Sequence, residues 1–483
     1  MTMTTRSAIV YSATGRYLTL VLQFISTMIL ARLLTPEDIG IYSAGFSIVA
    51  LAHLFRDFGL NQYIIQEKNL NEAKLRTTFT LSLIIAWSLG TLLFFMSGLA
   101  ADFFHEEGVN KLLQLLSINF FLIPFGSVTL ALLRKNLRFH ITSCIAFIAT
   151  LLGILVAVWA AYDGAHYLCL AYGAITETSC IVFLSCFFRP KGMKISPSLH
   201  GARNIFRFGS IVGLGNIITQ FATSATDALI ARLLGLSALG FFSRAFSTFS
   251  LFDNIFVSSI RPTILPLFSR DNNDLTKLTD GYLKAIAYSF VFAWPFFTFL
   301  FLYTEEVIQV LYGTQWDAAI PLVKILCTAG IFLPPILFAD NLFIAYGRPD
   351  ITLKIRIIAN LAKLAMVTIA SFFGLEAVCL ALVGFFVIKF FISLIYTKQI
   401  LSIDITKLFA LARQALIPLL FTITPTIIAN IAIQGFTTDL LFRFILLMLT
   451  AFIGWLAGLA ISKHPFFLEI KLLYSRLSPS KTT

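Results

Sequence analysis

Charge is what this sequence has least of. Of 483 residues only 12% are Asp, Glu, Lys or Arg, against about a quarter in a soluble domain. That shortage excludes a soluble globular protein. Hydrophobic residues make up 58% and the mean hydropathy is +0.87. A bilayer-spanning helix uses about 20 apolar residues, so the chain has material for a dozen crossings or more and little left for a large catalytic domain. Cysteine is also sparse. The six (Cys144, Cys169, Cys180, Cys186, Cys327, Cys379) form no CxxC pair and no metal-ligand spacing, and each lies in an apolar segment where a small buried hydrophobe is the simplest reading. No metal and no cofactor are expected. Glycine-rich phosphate loops, nucleophile elbows, HExxH and Walker motifs are missing too, which argues against an enzyme and against ATP-driven transport by this chain. The net charge is +12, but 50 Phe among Leu, Ile and Ala do not suggest nucleic-acid binding.

What is present is a series of apolar stretches. Fourteen are bounded by charges or turn residues: 8–31, 39–63, 77–100, 111–133, 139–162, 165–188, 205–231, 238–260, 281–303, 318–346, 350–373, 376–397, 409–433 and 440–462. The N-terminal residues carry no cleavage-site pattern after the first apolar run, so that run is expected to stay as the first span. Placing the N-terminus in the cytoplasm, and counting span ends with their adjoining loops, puts 26 Lys/Arg on the cytoplasmic side and 4 outside. The acids lean the other way, 8 inside and 11 outside. This alternation is the positive-inside pattern, and it accounts for most of the basic excess. An even span count returns the C-terminus to the cytoplasm.

An internal repeat divides the chain. Ala-Arg-Leu-Leu occurs at 31–34 and again at 231–234, and at the same offset of 200 Gly15, Thr19, Gly40, Ser43, Phe46, Ser47 and Leu51 recur as Gly215, Thr219, Gly240, Ser243, Phe246, Ser247 and Leu251. Six spans separate the copies, so both halves enter the membrane from the same side, as in parallel-repeat transporters. The expected fold is therefore an all-α integral membrane protein of about fourteen transmembrane helices. Its parts are an N-lobe (1–188), a basic cytoplasmic linker (189–204), a C-lobe (205–400), two appended spans (401–463) and a cytoplasmic tail (464–483).

Ionisable groups at mid-bilayer are costly and mark functional positions by default. Span 1 carries Ser12, Arg16, Thr19, Gln23 and Thr27 on one helical face, and the equivalent span 7 carries Asn216, Thr219, Thr223, Thr226 and Asp227. Two matched stripes suit a shared aqueous cavity; interhelical hydrogen bonding is the alternative. In span 2, His53 and Asp57 are four apart, placed either to relay a proton or to neutralise one another. Arg56 projects about 140° from Ser43, and Arg244 about 100° from Ser243, so neither sits squarely on a stripe. Lys363 in span 11 lies deep enough to need hydration. Ser43 and Ser47 share the broad polar face of His53 and Asp57 in span 2, and Ser243, Ser247 and Asp253 share one in span 8. Glu177, Asp227 and Asp340 are isolated acids that could bind a coupling cation or be hydrogen-bonded within the bundle.

The run Ala31-Arg32-Leu33-Leu34-Thr35-Pro36-Glu37-Asp38-Ile39-Gly40-Ile41-Tyr42, followed by Arg56-Asp57-Phe58-Gly59-Leu60, resembles the start of Wzx-like polysaccharide and O-antigen flippases of the multidrug/oligosaccharidyl-lipid/polysaccharide (MOP) exporter superfamily. The second copy, Ala231-Arg232-Leu233-Leu234-Gly235 through Phe241-Phe242-Ser243-Arg244-Ala245, is similar to the same family's repeat. The resemblance implies transport of an undecaprenyl-diphosphate-linked oligosaccharide across the bacterial inner membrane, for exopolysaccharide, capsule or O-antigen synthesis, by two lobes rocking around a cationic cavity. It also implies a polysaccharide polymerase and export machinery as partners. On this match Arg16, then Arg56, Arg244 and Lys363, would meet the diphosphate. Ser12, Gln23, Asn216, Thr219 and Thr223 would line the cavity, and His53, Asp57, Glu177, Asp227 and Asp253 could couple ions. Three alternatives compete: a peptidoglycan-precursor flippase, a multidrug/cation antiporter of the same superfamily, and a membrane glycan polymerase or ligase. The last would need a long external loop with catalytic groups, and the sequence has none above about twenty residues.

Overall fold

The computed structural model describes residues 5–57, 59–67, 70–189, 198–199, 202–270, 274–433, 439–467 and 469. Among them every regular element is helical, as the apolar runs dictate: backbone polar groups in hydrocarbon must be satisfied within the segment. The chain forms two compact units, Met1–Ser243 and Arg244–Thr483.

The first unit contains α1 (Thr5–Leu33), α2 (Pro36–Asp57), α3 (Leu60–Gln66), α4 (Glu72–Phe104), α5 (Glu107–Leu122), α6 (Pro124–Lys135), α7 (Phe139–Tyr162), α8 (Leu168–Phe187), α9 (Ala202–Leu234) and the start of α10 (Leu236–Phe249). Sequence explains the ends. Asn71 caps α4 by accepting from Lys74 N at 2.9 Å, and Pro124 breaks α5 from α6 at 52°. Packing is by small residues, as between helices in lipid. A Cβ on Gly153 would press on the Gly173 carbonyl, and one on Gly173 would press on Ala157, which is how α7 and α8 approach. The outward surface is apolar, with Phe95 77% and Trp159 68% exposed. In water such a surface would aggregate; in lipid it is the solvated face.

The second unit continues through a π turn (Asp253–Val257), α11 (Ser258–Arg270), α12 (Leu275–Leu302), α13 (Thr304–Leu311), α14 (Ile320–Thr328), α15 (Leu333–Ile336), α16 (Ala339–Ala345), α17 (Pro349–Ala370), α18 (Leu375–Leu401), α19 (Ile405–Ile433) and α20 (Leu440–Ile461). Gly454 and Gly458 let α20 close on the Phe421 carbonyl and on Pro418 of α19. Arg443 ties this pair to α13, 2.8 Å from the buried carboxylate of Glu306, while its Nε and Nη2 donate to Asn430 Oδ1 at 3.1 and 2.9 Å. Past α20, Glu469 returns to α12. Partial burial opposes its ionisation, but hydrogen bonds from Lys284 Nζ (2.6 Å) and the Tyr288 hydroxyl (2.7 Å) bring its carboxyl below the ordinary value.

Among the described residues nine helices are long and apolar enough to cross a membrane, or up to eleven if each bent pair is one span. The protein is thus a multi-pass membrane protein. The other three expected spans differ in kind. The stretch 205–231 lies in α9, diluted by Asn216, Gln220 and several Ser and Thr. The stretch 238–260 is interrupted by the π turn, and 350–373 lies in α17 with Lys354, Arg356 and Lys363. The sequence repeat leads to an expected division within 189–204, whereas the compact units divide the chain after Ser243, because α9 packs on α2, α3 and α4.

Candidate functional site

The most distinctive sequence motif turns out to be a piece of helix engineering. In Thr35-Pro36-Glu37-Asp38, the Thr35 Oγ1 accepts from Asp38 N at 3.1 Å, while Asp38 Oδ2 accepts from Thr35 N at 3.0 Å and from its hydroxyl at 2.7 Å. This reciprocal arrangement is a capping box. Pro36 stands at the first helical position, where its missing N–H costs nothing, and Glu37 and Asp38 complement the helix dipole. Asp38 is buried, and its second oxygen accepts from Tyr167 N at 3.1 Å, tying α2 to the start of α8. Asp38→Ala should therefore cost about 1–2 kcal/mol. A drop of several degrees in the unfolding temperature of the detergent-purified protein would show it, and an unchanged value would contradict the capping role.

Gly40, two residues beyond Asp38, belongs to a second device. A Cβ at Gly40 would collide with the Leu236 carbonyl, and a Cβ at Gly240 would collide with the Pro36 carbonyl. Leu236 is the repeat equivalent of Pro36. Ser43 and Ser243, equivalent in their turn, meet directly, with Ser243 Oγ donating to Ser43 Oγ at 2.8 Å. The two copies of the repeat thus cross at a local two-fold axis, each presenting to the other the same residues it receives. Ser224 Oγ extends the contact by donating to the Ser47 carbonyl at 2.7 Å. Sequence reading found these matched residues but took the serines as stripe members. The glycine pair at the same offset was the available sign of a close crossing.

On α1, Arg16 and Gln23 are exposed, whereas Thr19 and Thr27 turn their hydroxyls back to the carbonyls of Gly15 and Gln23 at 2.9 and 2.8 Å. On α9, Thr219 is exposed and its carbonyl accepts from Thr223 Oγ1 at 3.1 Å; Asp227 is half-buried. The side chains of Ser12, Asp57 and Asn216 lie outside the described residues. His53 stacks on Phe120 with ring centroids 4.7 Å apart, and its Nδ1 is 2.8 Å from Arg56 Nη1. Its partner there is the residue three positions on, where sequence spacing had paired it with Asp57. Arg56 also lines a cavity of about 250 Å³ within the first unit. Glu177 accepts from Thr150 Oγ1 at 2.7 Å, joining α7 to α8.

In the second unit Arg244 is half-buried. Its guanidinium lies 5.6 Å from the Tyr312 ring centroid and 5.4 Å from that of Trp316, a cation–π clamp. Tyr312 in turn accepts from Thr248 Oγ1 at 3.2 Å. Asp253 opens the π turn and pairs with Arg261 at 2.9 Å. Lys363 is buried, with its ammonium 5.5 Å from the Phe385 centroid. Asp340 pairs with Arg356 at 3.3 Å, so it is not the isolated acid that sequence suggested. Among the described residues no cluster of three His, Cys, Asp or Glu could hold a metal ion.

The family model described as "Polysaccharide biosynthesis protein" matches residues 29–321, which includes both copies of the repeat motif. The chain is 25% identical to the lipopolysaccharide biosynthesis protein WzxC of Escherichia coli (strain K12), over 72% of this chain and 71% of that protein. It is also 25% identical to the succinoglycan biosynthesis transport protein ExoT of Rhizobium meliloti (strain 1021), over 68% and 65%. In fold it is similar to the lipid II flippase MurJ in an inward closed conformation, with a TM-score of 0.77 at 15% identity, covering 95% of this chain and 99% of that one.

Proposed function

Because this chain belongs to the polysaccharide biosynthesis protein family, a Wzx-like branch of the MOP superfamily, we propose that it flips undecaprenyl-diphosphate-linked oligosaccharide repeat units across the bacterial inner membrane. The product feeds exopolysaccharide, capsule or O-antigen synthesis. The family match across both repeat motifs carries this reading. In it, all fourteen apolar stretches cross the membrane with both termini in the cytoplasm. The repeat supplies two six-helix lobes, 1–188 and 205–400, that alternate access around a central path. A polysaccharide polymerase and export machinery take the flipped units.

The mechanism asks little covalent chemistry of the protein. A diphosphate head group must leave water, and guanidinium groups in a low-dielectric path offset that cost through charge-assisted, bidentate hydrogen bonds. Arg16, exposed on α1, has the freedom to do this. Arg56, Arg244 and Lys363 are the further cationic positions, and Gln23, Thr219 and Thr223 supply polar wall. His53, Asp57, Glu177, Asp227 and Asp253 are the positions at which an ion gradient would be coupled. Of these, Glu177 and Asp253 already hold a hydroxyl and a guanidinium.

The purified protein in proteoliposomes should move a labelled undecaprenyl-diphosphate-linked oligosaccharide between leaflets, faster with an imposed pH or sodium gradient if transport is coupled. Deletion in the cell should leave lipid-linked repeat units on the cytoplasmic leaflet. Flipping of lipid II but of no oligosaccharide carrier would instead favour the peptidoglycan-precursor reading, and an unchanged leaflet distribution in the deletion strain would end both.

A further inference from the structure

Each compact unit contains a span broken at proline. In the first, α5 and α6 meet at 52° ahead of Pro124; in the second, the segments Thr314–Ile331 and Leu333–Ala345 meet at 63° ahead of Pro334 and Pro335. A helix end leaves its last carbonyls without a donor, proline has no N–H to offer, and in hydrocarbon an unmet carbonyl is costly. The Phe121 carbonyl stands three residues before Pro124, and it accepts from Trp87 Nε1 of α4 at 3.3 Å. The Ile331 carbonyl stands three and four residues before Pro334 and Pro335, and it accepts from Trp294 Nε1 of α12 at 3.4 Å. Both tryptophans sit near the middle of their apolar stretches, away from the interfaces that tryptophan favours.

The two places are copies of one another. Trp87 and Trp294 are 207 residues apart, while Phe121 and Ile331, like Pro124 and Pro334, are 210 apart. The packing beside each bond repeats too, with its polarity exchanged. A Cβ on Gly90 of α4 would press on Phe120, whereas Phe297, at the equivalent place on α12, fills the space beside Gly330, the equivalent of Phe120. Large and small residues have changed sides, and the contact stays. A third tryptophan shows a contrast. Pro295 removes the helical donor of the Val291 carbonyl, four residues back, and Trp455 Nε1 of α20 replaces it at 3.0 Å. That bond lies within continuous α12 and has ordinary length. The two at the breaks exceed the usual limit of about 3.2 Å and are exposed. Such bonds hold a bend without fixing it.

We propose that Trp87 and Trp294 are positioning residues of a duplicated hinge: each indole latches one broken span in its bend, and the span flexes at that proline as the transporter cycles. Its part in cycling rests on the flippase reading; the latch itself does not.

The test uses the full-length protein with its six cysteines changed to alanine. Spin labels replacing Lys111 and Arg134 bracket the first break, and labels replacing Ala318 and Ile344 bracket the second. Double electron–electron resonance in nanodiscs should give one narrow distance across each break. Trp87→Phe keeps an aromatic ring and removes the N–H; it should broaden the first distribution and leave the second narrow. Trp294→Phe should do the reverse. Trp159→Phe, on the 68% exposed position of α7, should change neither. Trp87 is itself 41% exposed, so its variant opens no packed core. Pro124→Ala added to Trp87→Phe, and Pro335→Ala added to Trp294→Phe, each return a local N–H to the carbonyl and should narrow the distribution again. Lost ring packing would not be rescued that way. In proteoliposomes each Trp→Phe variant should lower maximal flipping about fivefold, the factor for one hydrogen bond, with the half-saturating substrate concentration unchanged. An unchanged distribution in either tryptophan variant, or broadening that the proline replacement leaves in place, overturns the duplicated latch. Wild-type flipping by variants whose distances broaden overturns its part in cycling. If the unmodified protein flips nothing, the flippase reading ends, and the distances still decide the latch.

Discussion

Gly40→Leu should leave almost no monodisperse protein after extraction from the membrane. The position has no room on the side that matters: the added carbon would occupy the space of the Leu236 carbonyl, and Gly240 faces the Pro36 carbonyl in the same way. Backbone on the far side cannot rotate away as a side chain could, so the helices themselves must separate. Overpacking a good interface costs about 1–3 kcal/mol where side chains can yield. Here the cost should exceed that range. Separation would also break the Ser243–Ser43 and Ser224–Ser47 hydrogen bonds that the close approach permits. Gly98→Leu is the matched control, because nothing lies within 4 Å of a Cβ built there. Fluorescence-detected size exclusion and a thermal ramp on both variants make the comparison. Equal recovery of the two proteins would show that the glycine crossing is not needed for folding.

Arg16→Ala should abolish polysaccharide export while the protein inserts and accumulates normally. Arg16 is exposed, so truncation opens no packed core, and substitutions away from packed or buried polar sites usually change stability by less than about 0.5 kcal/mol. The neighbouring threonines of its stripe satisfy their hydroxyls on their own helix, which among the described side chains of that stripe leaves the guanidinium and Gln23 to reach outward. If the diphosphate crosses beside α1, losing the charge removes a partner at the point where desolvation is most expensive. Arg16→Lys should keep part of the activity, because the charge stays and the bidentate geometry goes. Surface polymer and membrane protein level are the paired readouts. Wild-type export from the alanine variant would take Arg16 out of the path.

Much of the membrane architecture was legible because it rests on bulk properties. Apolar length, charge asymmetry between loops and a repeat at a constant offset survive without any knowledge of neighbours. Pairing was not legible. Helical spacing brings both i+3 and i+4 into reach, so His53 could meet Arg56 or Asp57, and the Arg56 contact comes with a rotamer set by stacking on Phe120. Asp340 and Arg356 sit on different helices, and no single-helix periodicity could join them. Arg244 read only as a cation set off the polar stripe, and its ring partners Tyr312 and Trp316, about seventy residues on, share no local pattern with it.

The Thr-Pro-Glu-Asp-Ile-Gly run shows where the boundary falls. By itself the sequence determined that a helix starts there, because capping, proline placement and the dipole are interactions among neighbours in the chain. It also determined that the chain lives in a bilayer, since so little charge and so much apolar length suit no other solvent. Only the tertiary structure decided why the glycine ends that run. A close crossing is a relation between two backbones, here α2 and its own repeat, and a residue without a side chain records the need for space without recording what fills it.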